Sequence, residues 1–393
     1  MRGHIVKRRS RYYAVVYEGV DPATKKERHR WYPAGDTRKG AEKILGDLVK
    51  RHHDGDYRAP DRITLGDYLT ERWLPTKRAQ LRRSTFDSYT RNVDNHVVPR
   101  IGNIALQKLT PEDLDEFYAG LLQDGRLNGK KTGKPRGLSV KTVRYIHTII
   151  RKALADAQRK GSVQRNVADL ADAPKLSSVP RRPMKVWTAE QLRSFIEGIT
   201  DNRLYPAIYL ASSTGMRRGE VLGIRWEDID LEGLRLSVRH TVLNVAYEIE
   251  ISEVKTDMSR RTVDLDPRTV TVLRAWRKTQ LQERVALGLR PKDDSLVFAD
   301  PDGSPVHPDL FSQTFDRLVA DADVPRIRFH DLRHTHATIL LKEGVPAKVV
   351  SERLGHANVA FTMSVYQHIL PGMQADAAHI FAKVVFGDAK DQR

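Results

Sequence analysis

The chain has 393 residues, 67 Lys+Arg against 50 Asp+Glu for a formal net charge of +17, and no cysteine. At roughly 100–200 residues per domain this length predicts two to four domains. The 40% hydrophobic content supplies buried cores and excludes a wholly disordered basic tail, and the lack of cysteine excludes a disulfide scaffold, a Cys-ligated zinc site and a thiol nucleophile. The start, MRGHIVKRRSRYY, is charged at once and lacks the apolar region of a signal peptide, and no run approaches the roughly 18 apolar residues of a membrane span. The expectation is a soluble intracellular protein with a polyanionic partner, most simply nucleic acid.

In chain order, residues 1–58 hold 15 basic and 8 acidic residues. Residues 4–33 read as β-structure, the Val- and Tyr-rich IVKRRSRYYAVVYEGV and RHRWYPA about the turn DPATKKE, and Thr37 then caps a helix, RKGAEKILGDLVKRHH. Arg8, Arg9 and Arg11 beside Tyr12, Tyr13, Tyr17, Trp31 and Tyr32 suit a small sheet that reads a DNA groove; the alternative is that these aromatics are the core of a small domain. Ala59-Pro60-Asp61 reads as a linker.

Residues 59–183 hold 24 basic and 13 acidic residues, and 63–161 reads as four helices. Their starts are predicted at Thr64, at Ser84 with Asp87, at Thr110-Pro111 and at Ser139. The fourth helix carries Val143, Ile146, Ile150 and Leu154 on one face, with Lys141, Arg144, Arg151 and Lys152 elsewhere. Those cations are either a solvated face or a phosphate-contacting one, and Lys141 and Arg144 are candidate DNA contacts. QDGRLNGKKTGKPRG (123–137) reads as a basic loop, and DAPKLSSVPRRPMK (172–185) as a second linker ending at the capping box Thr188–Gln191.

The remaining 28 basic and 29 acidic residues, in 184–393, leave that region a net charge of −1. It reads as mixed: helices at 188–199, 203–213 and 217–223, strand hairpins within 233–265, then helices at 268–284, 308–322, 331–343 and 346–354. Four segments stand out. STGMRRGEVLGIRWEDID sets Arg217 and Glu220 one helical turn apart, and VKTDMSRRTVDL sets Lys255 at the tip of a strand hairpin. HDLRHTHATIL sets His330 and Arg333 on one helical face, and LGHANVAFTMSVYQH sets His356 ten residues before Tyr366. Each alone fits ordinary surface or salt-bridge chemistry, and a two-His metal site with Glu220 lacks clustered acidic ligands and the tighter His spacing of zinc. Together, two arginines, a lysine, two histidines and a tyrosine make a donor-rich cationic set suited to a phosphodiester whose added negative charge is stabilised without metal.

These segments, with their order, separations and the TG-x-R-x-x-E, HDLRHT and LGH…Y patterns, resemble the signature boxes of the tyrosine recombinases, the lambda-integrase-like site-specific recombinases. The resemblance spans essentially the whole chain. It implies a multidomain α+β fold: 1–58, a three-stranded sheet plus helix similar to the arm-type DNA-binding domain of phage and conjugative-element integrases; 63–172, an all-α four-helix core-binding domain; and 185–393, a mainly-α catalytic domain with a small antiparallel sheet. It implies Tyr366 as nucleophile, giving a 3′-phosphotyrosyl enzyme and a free 5′-hydroxyl, with strand exchange through a Holliday junction. Arg217 and Arg333 match the phosphate clamp and Lys255 the general acid at the leaving 5′-oxygen. His330 matches a proton-transfer residue at the tyrosine and His356 a donor to the phosphate, two roles that sequence does not tell apart, while Glu220 orients its neighbours.

The implied partners are double-stranded DNA at core-type and arm-type sites, a homotetramer on DNA, an excisionase and a host DNA-bending protein, with no cofactor, no metal and no membrane. The implied setting is the cytoplasm of a bacterial host, and the implied role is to integrate and excise a mobile element. Two rivals share parts of this pattern. A type IB topoisomerase has no need of a second DNA address, and a DNA-binding protein with a decayed site would not keep all six chemical residues. After Tyr366, Met373, Ala377, Ile380, Phe381 and Val384 recur at helical spacing, which suits packing on the chain's own domain or on a neighbouring subunit.

Overall fold

A computed structural model describes residues 2–20, 24–53, 62–127, 135–178, 184–254, 260–290, 295–356, 358–366, 378 and 381–385. By its internal contacts the chain forms two compact units, Met1–Arg181 and Arg182–Arg393. Both are helical apart from small antiparallel sheets. Among the described residues, no helix is long and apolar enough to cross a membrane.

The first unit opens with β1 (Gly3–Arg8), β2 (Arg11–Val20) and β3 (Glu27–Pro33), ordered β1-β2-β3. Arg8 faces Arg11 across a two-residue turn in which Arg9 takes a left-handed φ of 56°. Side chains alternate between the faces of a sheet. The face of Gly3, Ala14 and Val16 meets helix α1 (Arg38–His53), where a Cβ added to Gly3 would lie 2.6 Å from Leu45 Cδ1. The other face carries Tyr13 against Trp31, ring centroids 5.8 Å apart, and Tyr17 against His29 at 5.7 Å. Trp31 remains 45% exposed, so this aromatic face is only partly core.

Four helices follow: α2 (65–78), α3 (83–101), α4 (Pro111–Asp124) and α5 (Val140–Arg159). Thr64 and Thr110 close capping boxes with Asp67 and Asp113, and Ser139 accepts from Thr142 N–H, as their sequence positions predict. Ser84 does not start its helix: Arg82 is the N-cap, without a side-chain bond, and α3 begins at Arg83. Both α2 and α3 widen into a π-turn, Tyr68–Trp73 and Val93–Val97, ending two residues before Pro75 and Pro99. The wider turn lets the helix pass a residue with no N–H to donate. Trp73, Leu114, Tyr118, Leu121, Ile146 and Ile150 fill the core between them. At its edge Asp156 accepts from Trp73 Nε1 (2.9 Å) and Lys77 (2.7 Å) and also pairs with Arg159. Burial alone would raise its pKa; the bonds from Lys77 and Trp73 outweigh that and hold the carboxyl below its ordinary value.

The second unit comprises α6 (Ala189–Gly198), α7 (Tyr205–Thr214), α8 (Arg218–Gly223), β4 (Ile229–Asp230), β5 (Arg235–Val238), β6 (His240–Val245), β7 (Glu248–Glu253), β8 (Arg261–Asp264), α9 (Pro267–Ala286), α10 (Pro308–Asp321), α11 (Phe329–Lys342), α12 (Ala347–Leu354) and α13 (Val359–Tyr366). Its centre is an aromatic cluster of Trp187, Phe195, Phe311, Phe315 and Phe329. Trp187, just past the second predicted linker, is pinned by its N–H to Thr335 Oγ1 (3.1 Å) and by its Nε1 to Pro325 O (2.7 Å). β6 and β7 form a hairpin turning at Ala246-Tyr247, whereas β8 pairs with β5 in the ladder β4-β5-β8. The strands flanking Lys255 therefore belong to different ladders and do not form the hairpin that the sequence suggested. Lys255 itself lies outside the described residues, as do residues 128–134 of the basic 123–137 loop and most of the tail after Tyr366.

Candidate active site

Three of the four motif segments meet in the second unit, each delivered by a helix end. α7 ends on Gly215 in the left-handed conformation (φ 68°). A Cβ there would lie 2.5 Å from Leu354 Cδ2 and 2.8 Å from His336 Cδ2, so only glycine fits both the φ and the space. Two residues on, Arg217 is the N-cap of α8. Its N–H donates to Glu220 Oε2 (3.0 Å), its Nη1 to Glu220 Oε1 (2.6 Å) and its Nη2 to Gly355 O (3.3 Å). The sequence motif is thus a cap as well as a charge pair: Glu220 at the third helical position ends an orphan N–H. Glu220 is buried while the Arg217 side chain stays 40% exposed.

α11 starts where Asp331 accepts from Arg328 N–H (2.9 Å) and from its guanidinium. One turn in, Arg333 is buried and donates through Nη1 to Gly215 O (2.8 Å). His330 lies at the exposed start of the helix, its ring 5.1 Å from that of His334 in an edge-to-face contact. Desolvation lowers the pKa of His330, with Arg333 adding to it; His334 is pushed down to about 4, by desolvation and then by His330. Both rings are neutral near pH 7.

α12 ends on Gly355 (φ 67°), and His356 N–H closes the turn on Ser351 O (3.0 Å). The His356 ring is buried, with Nδ1 2.8 Å from Oγ1 of the fully buried Thr362. Desolvation, then Arg333 and Arg217, push its pKa down to about 3. Thr362 lies on α13, four positions before Tyr366, which is the helix's last residue; the Tyr366 side chain is outside the described set.

Three supporting residues escaped sequence reading. Arg261 donates through Nη2 to Glu220 Oε2 (2.9 Å) and through Nε to Arg353 O (2.8 Å). Arg353 in turn donates to Asp264 O, Ser213 O and His336 Nε2 at 3.0, 3.0 and 3.2 Å. A carbonyl only accepts, so His336 Nδ1, 3.0 Å from Ser212 O, carries that ring's proton and Nε2 is the acceptor. Thr362 is the third. A usable signal existed for Arg261: in R-T-V-D-L it shares the inward register of Val263 and Leu265, both buried, and an inward arginine needs a carboxylate.

The geometry therefore brings together Arg217, Glu220, Arg333 and His356 with His330 at the rim, and adds Arg261. It leaves Lys255 undescribed and gives Tyr366 a backbone position only. Among the candidate DNA contacts, Arg8, Arg9 and Arg11 are exposed around the β1–β2 turn, Lys141 is exposed, and exposed Arg144 reaches Ala173 O at 3.5 Å.

Residues 185–372 match the phage integrase family, and residues 64–122 match the phage integrase N-terminal SAM-like domain. The chain is 28% identical over 369 residues to the ICEBs1 integrase of Bacillus subtilis (strain 168), covering 93% of this chain and 95% of that one. Among solved structures, the Tn1549 transposon integrase in complex with a circular intermediate DNA is similar with a TM-score of 0.64 at 22% identity, over 81% of this chain and 99% of that one. A lambda integrase dimer bound to a COC′ core site is similar with a TM-score of 0.54 at 17% identity, over 92% and 93%. These two likenesses are of fold.

Proposed function

The chain belongs to the phage integrase family, the tyrosine recombinases, and we propose that it is the site-specific recombinase that integrates and excises a mobile element. The observation that carries the site assignment is the convergence of Arg217, Arg333 and His356 around two helix-ending glycines, with the buried carboxylate beside them, Glu220, already ion-paired.

In this reading Tyr366 attacks the scissile phosphate in line. Its oxygen becomes a 3′-phosphotyrosyl ester, and the 5′-oxygen leaves as a hydroxyl after taking a proton from Lys255. A phenol titrates near 10, so the attack depends on a base and on cationic stabilisation. His330, neutral near pH 7, suits the base that takes the phenol proton. Arg217 and Arg333 hold the non-bridging oxygens; a guanidinium's paired N–H groups fit two oxygens where an ammonium would not. His356 is neutral as well, and the reading takes the tautomer in which Nδ1 accepts the Thr362 hydroxyl, which leaves Nε2–H as the donor to the phosphate. That assignment separates the two histidines: an exposed base at the rim and a buried donor below. The ester energy is retained in the phosphotyrosine, so resealing by another strand's 5′-hydroxyl needs no nucleotide.

The same reading divides the chain into an arm-type DNA-binding domain (1–58), a core-binding domain (63–172) and a catalytic domain (185–393). It has the protein work as a homotetramer on paired DNA sites through a Holliday junction, in a bacterial cytoplasm, with an excisionase and a host bending protein as accessory partners. The solved lambda integrase tetramer bound to a Holliday junction supports this by likeness of fold. The test begins by sequencing the junctions formed when the chain is expressed beside its element, which defines the core site. On a nicked duplex of that site, wild type should trap as an SDS-stable protein–DNA adduct, whereas Tyr366→Phe should bind and form none. Absence of adduct from wild type on the mapped site would sink the assignment.

A further inference from the structure

Arg260 and Arg261 are adjacent in sequence and opposite in situation. The Arg260 side chain is 55% exposed and pairs with exposed Glu253, while the Arg261 side chain is 7% exposed and points inward at the head of β8. Arg261 does two things there. Its Nη2 takes Glu220 Oε2, the oxygen that also receives Arg217 N–H, leaving Oε1 for Arg217 Nη1. Its guanidinium also lies under the Gly355 turn: a Cβ at Gly355 would be 2.9 Å from Arg261 Nη1 and 3.2 Å from Cζ. That turn supplies the carbonyl for Arg217 Nη2 and delivers His356.

A carboxylate offers two oxygens to a guanidinium fork, and the fork–fork pair is the strong arrangement. A buried Glu220 with only Arg217 for company would turn both oxygens onto it and close the guanidinium that must hold the phosphate. A second buried cation divides the carboxylate. We propose that Arg261 is a positioning residue for strand cleavage: by sharing Glu220 and supporting the Gly355 turn, it keeps Arg217 open to the scissile phosphate and His356 in place. Glu220 is held ionised against its burial, with Arg261 the first of the groups that lower it, consistent with this division. The inference rests on the recombinase reading above and concerns a residue that does not itself touch DNA.

The experiment is single-turnover cleavage of the mapped core site by full-length wild type, Arg261→Met, Glu220→Gln and the double variant, with DNA binding by gel shift and melting followed in parallel. Each is run on the natural phosphodiester and on a methylphosphonate at the scissile position, in which methyl replaces one non-bridging oxygen and the diester's negative charge is removed. Arg261→Met should bind the site as wild type does and cleave the phosphodiester about 100-fold more slowly, the scale of losing one charge-stabilising group. On the methylphosphonate the deficit should fall to about threefold or less, because less is asked of the clamp. The double variant should be no slower than Glu220→Gln, since without the glutamate's charge there is nothing left to divide.

Equal deficits on both substrates, or additive losses in the double variant, would reduce Arg261 to a packing residue and overturn the proposal, as would Arg261→Met cleaving like wild type. If Arg261→Met loses its melting transition, Arg261→Lys decides by the same substrate ratio, because it keeps the buried cation but not the Nε bond to Arg353 O. Failure of wild type to form any adduct would instead refute the recombinase reading and is scored before any variant.

Discussion

Gly215 joins backbone geometry to the proposed cleavage site, and Gly215→Ala tests both. An L-residue in the left-handed region costs about 1–2 kcal/mol. The added methyl would start 2.5 Å from Leu354 Cδ2 and 2.8 Å from the His336 ring, both fully or nearly buried, so relief requires shifting packed side chains at about 1–3 kcal/mol. The two terms give about 2–5 kcal/mol. For a unit of this size each kcal/mol moves the midpoint by about 2–4 °C, so a central loss of about 3 kcal/mol lowers melting by about 6–12 °C. Gly198→Ala is the matched control: it lies at the exposed end of α6, its φ is not positive and nothing lies within 4 Å of the added Cβ. It should hold or gain about 0.5–1 kcal/mol. Calorimetry on the full chain follows the transition of the second unit. Cleavage should fall further than melting predicts, because Gly215 O is the acceptor that fixes Arg333. Equal midpoints for the two variants would refute the argument, and so would a destabilised Gly215→Ala that cleaves as fast as wild type at a temperature where it is folded.

Two further outcomes follow from the buried histidines. Thr362→Val keeps the shape and removes the hydroxyl beside His356 Nδ1; it should cost about 1–3 kcal/mol of stability, and the adduct rate should fall while site binding by gel shift does not. An unchanged rate would mean that the threonine does not set the ring. His336 is buried neutral with its pKa pushed down to about 4 by desolvation and then Arg353, against about 6.5 in an unfolded chain. The unfolded state therefore binds more protons between those values, so stability is full above about 6.5 and is lost as pH falls toward 4, by something on the order of 3 kcal/mol. His336→Gln should flatten melting temperature against pH in that window; an unaltered slope would show that other groups carry it.

What the sequence revealed was local. The caps at Thr64, Thr110, Ser139 and Thr188 were readable because a cap and its partner lie three residues apart. The Arg217–Glu220 and His330–Arg333 spacings were readable for the same reason. The start of α3 was not, since Arg82 caps it with backbone alone, and the π-turns before Pro75 and Pro99 leave no signal beyond the prolines. Strand pairing was misjudged around Lys255 because adjacency in sequence suggested a hairpin, while β8 finds its partner in β5, across the whole β6–β7 excursion. The motif also could not show that Glu220 is shared: its second arginine comes from 41 residues away.

That sharing explains how a module of net charge −1 can act on a polyanion. Arg217 and Arg261 share the one carboxylate of Glu220 while Arg333 is held on Gly215 O, so three guanidiniums are gathered in one place whatever the balance of the surface. Charges in a partly desolvated pocket are screened far less than those spread over a face. The surrounding histidines contribute donors without charge, because His334 and His356 are neutral well below pH 7. The electrostatic pull on a phosphate at this site is therefore constant across the physiological range. In the proposed mechanism, any pH dependence of cleavage then comes from the groups assigned to move protons, Tyr366, Lys255 and His330, and not from the arginines assigned to hold the phosphate.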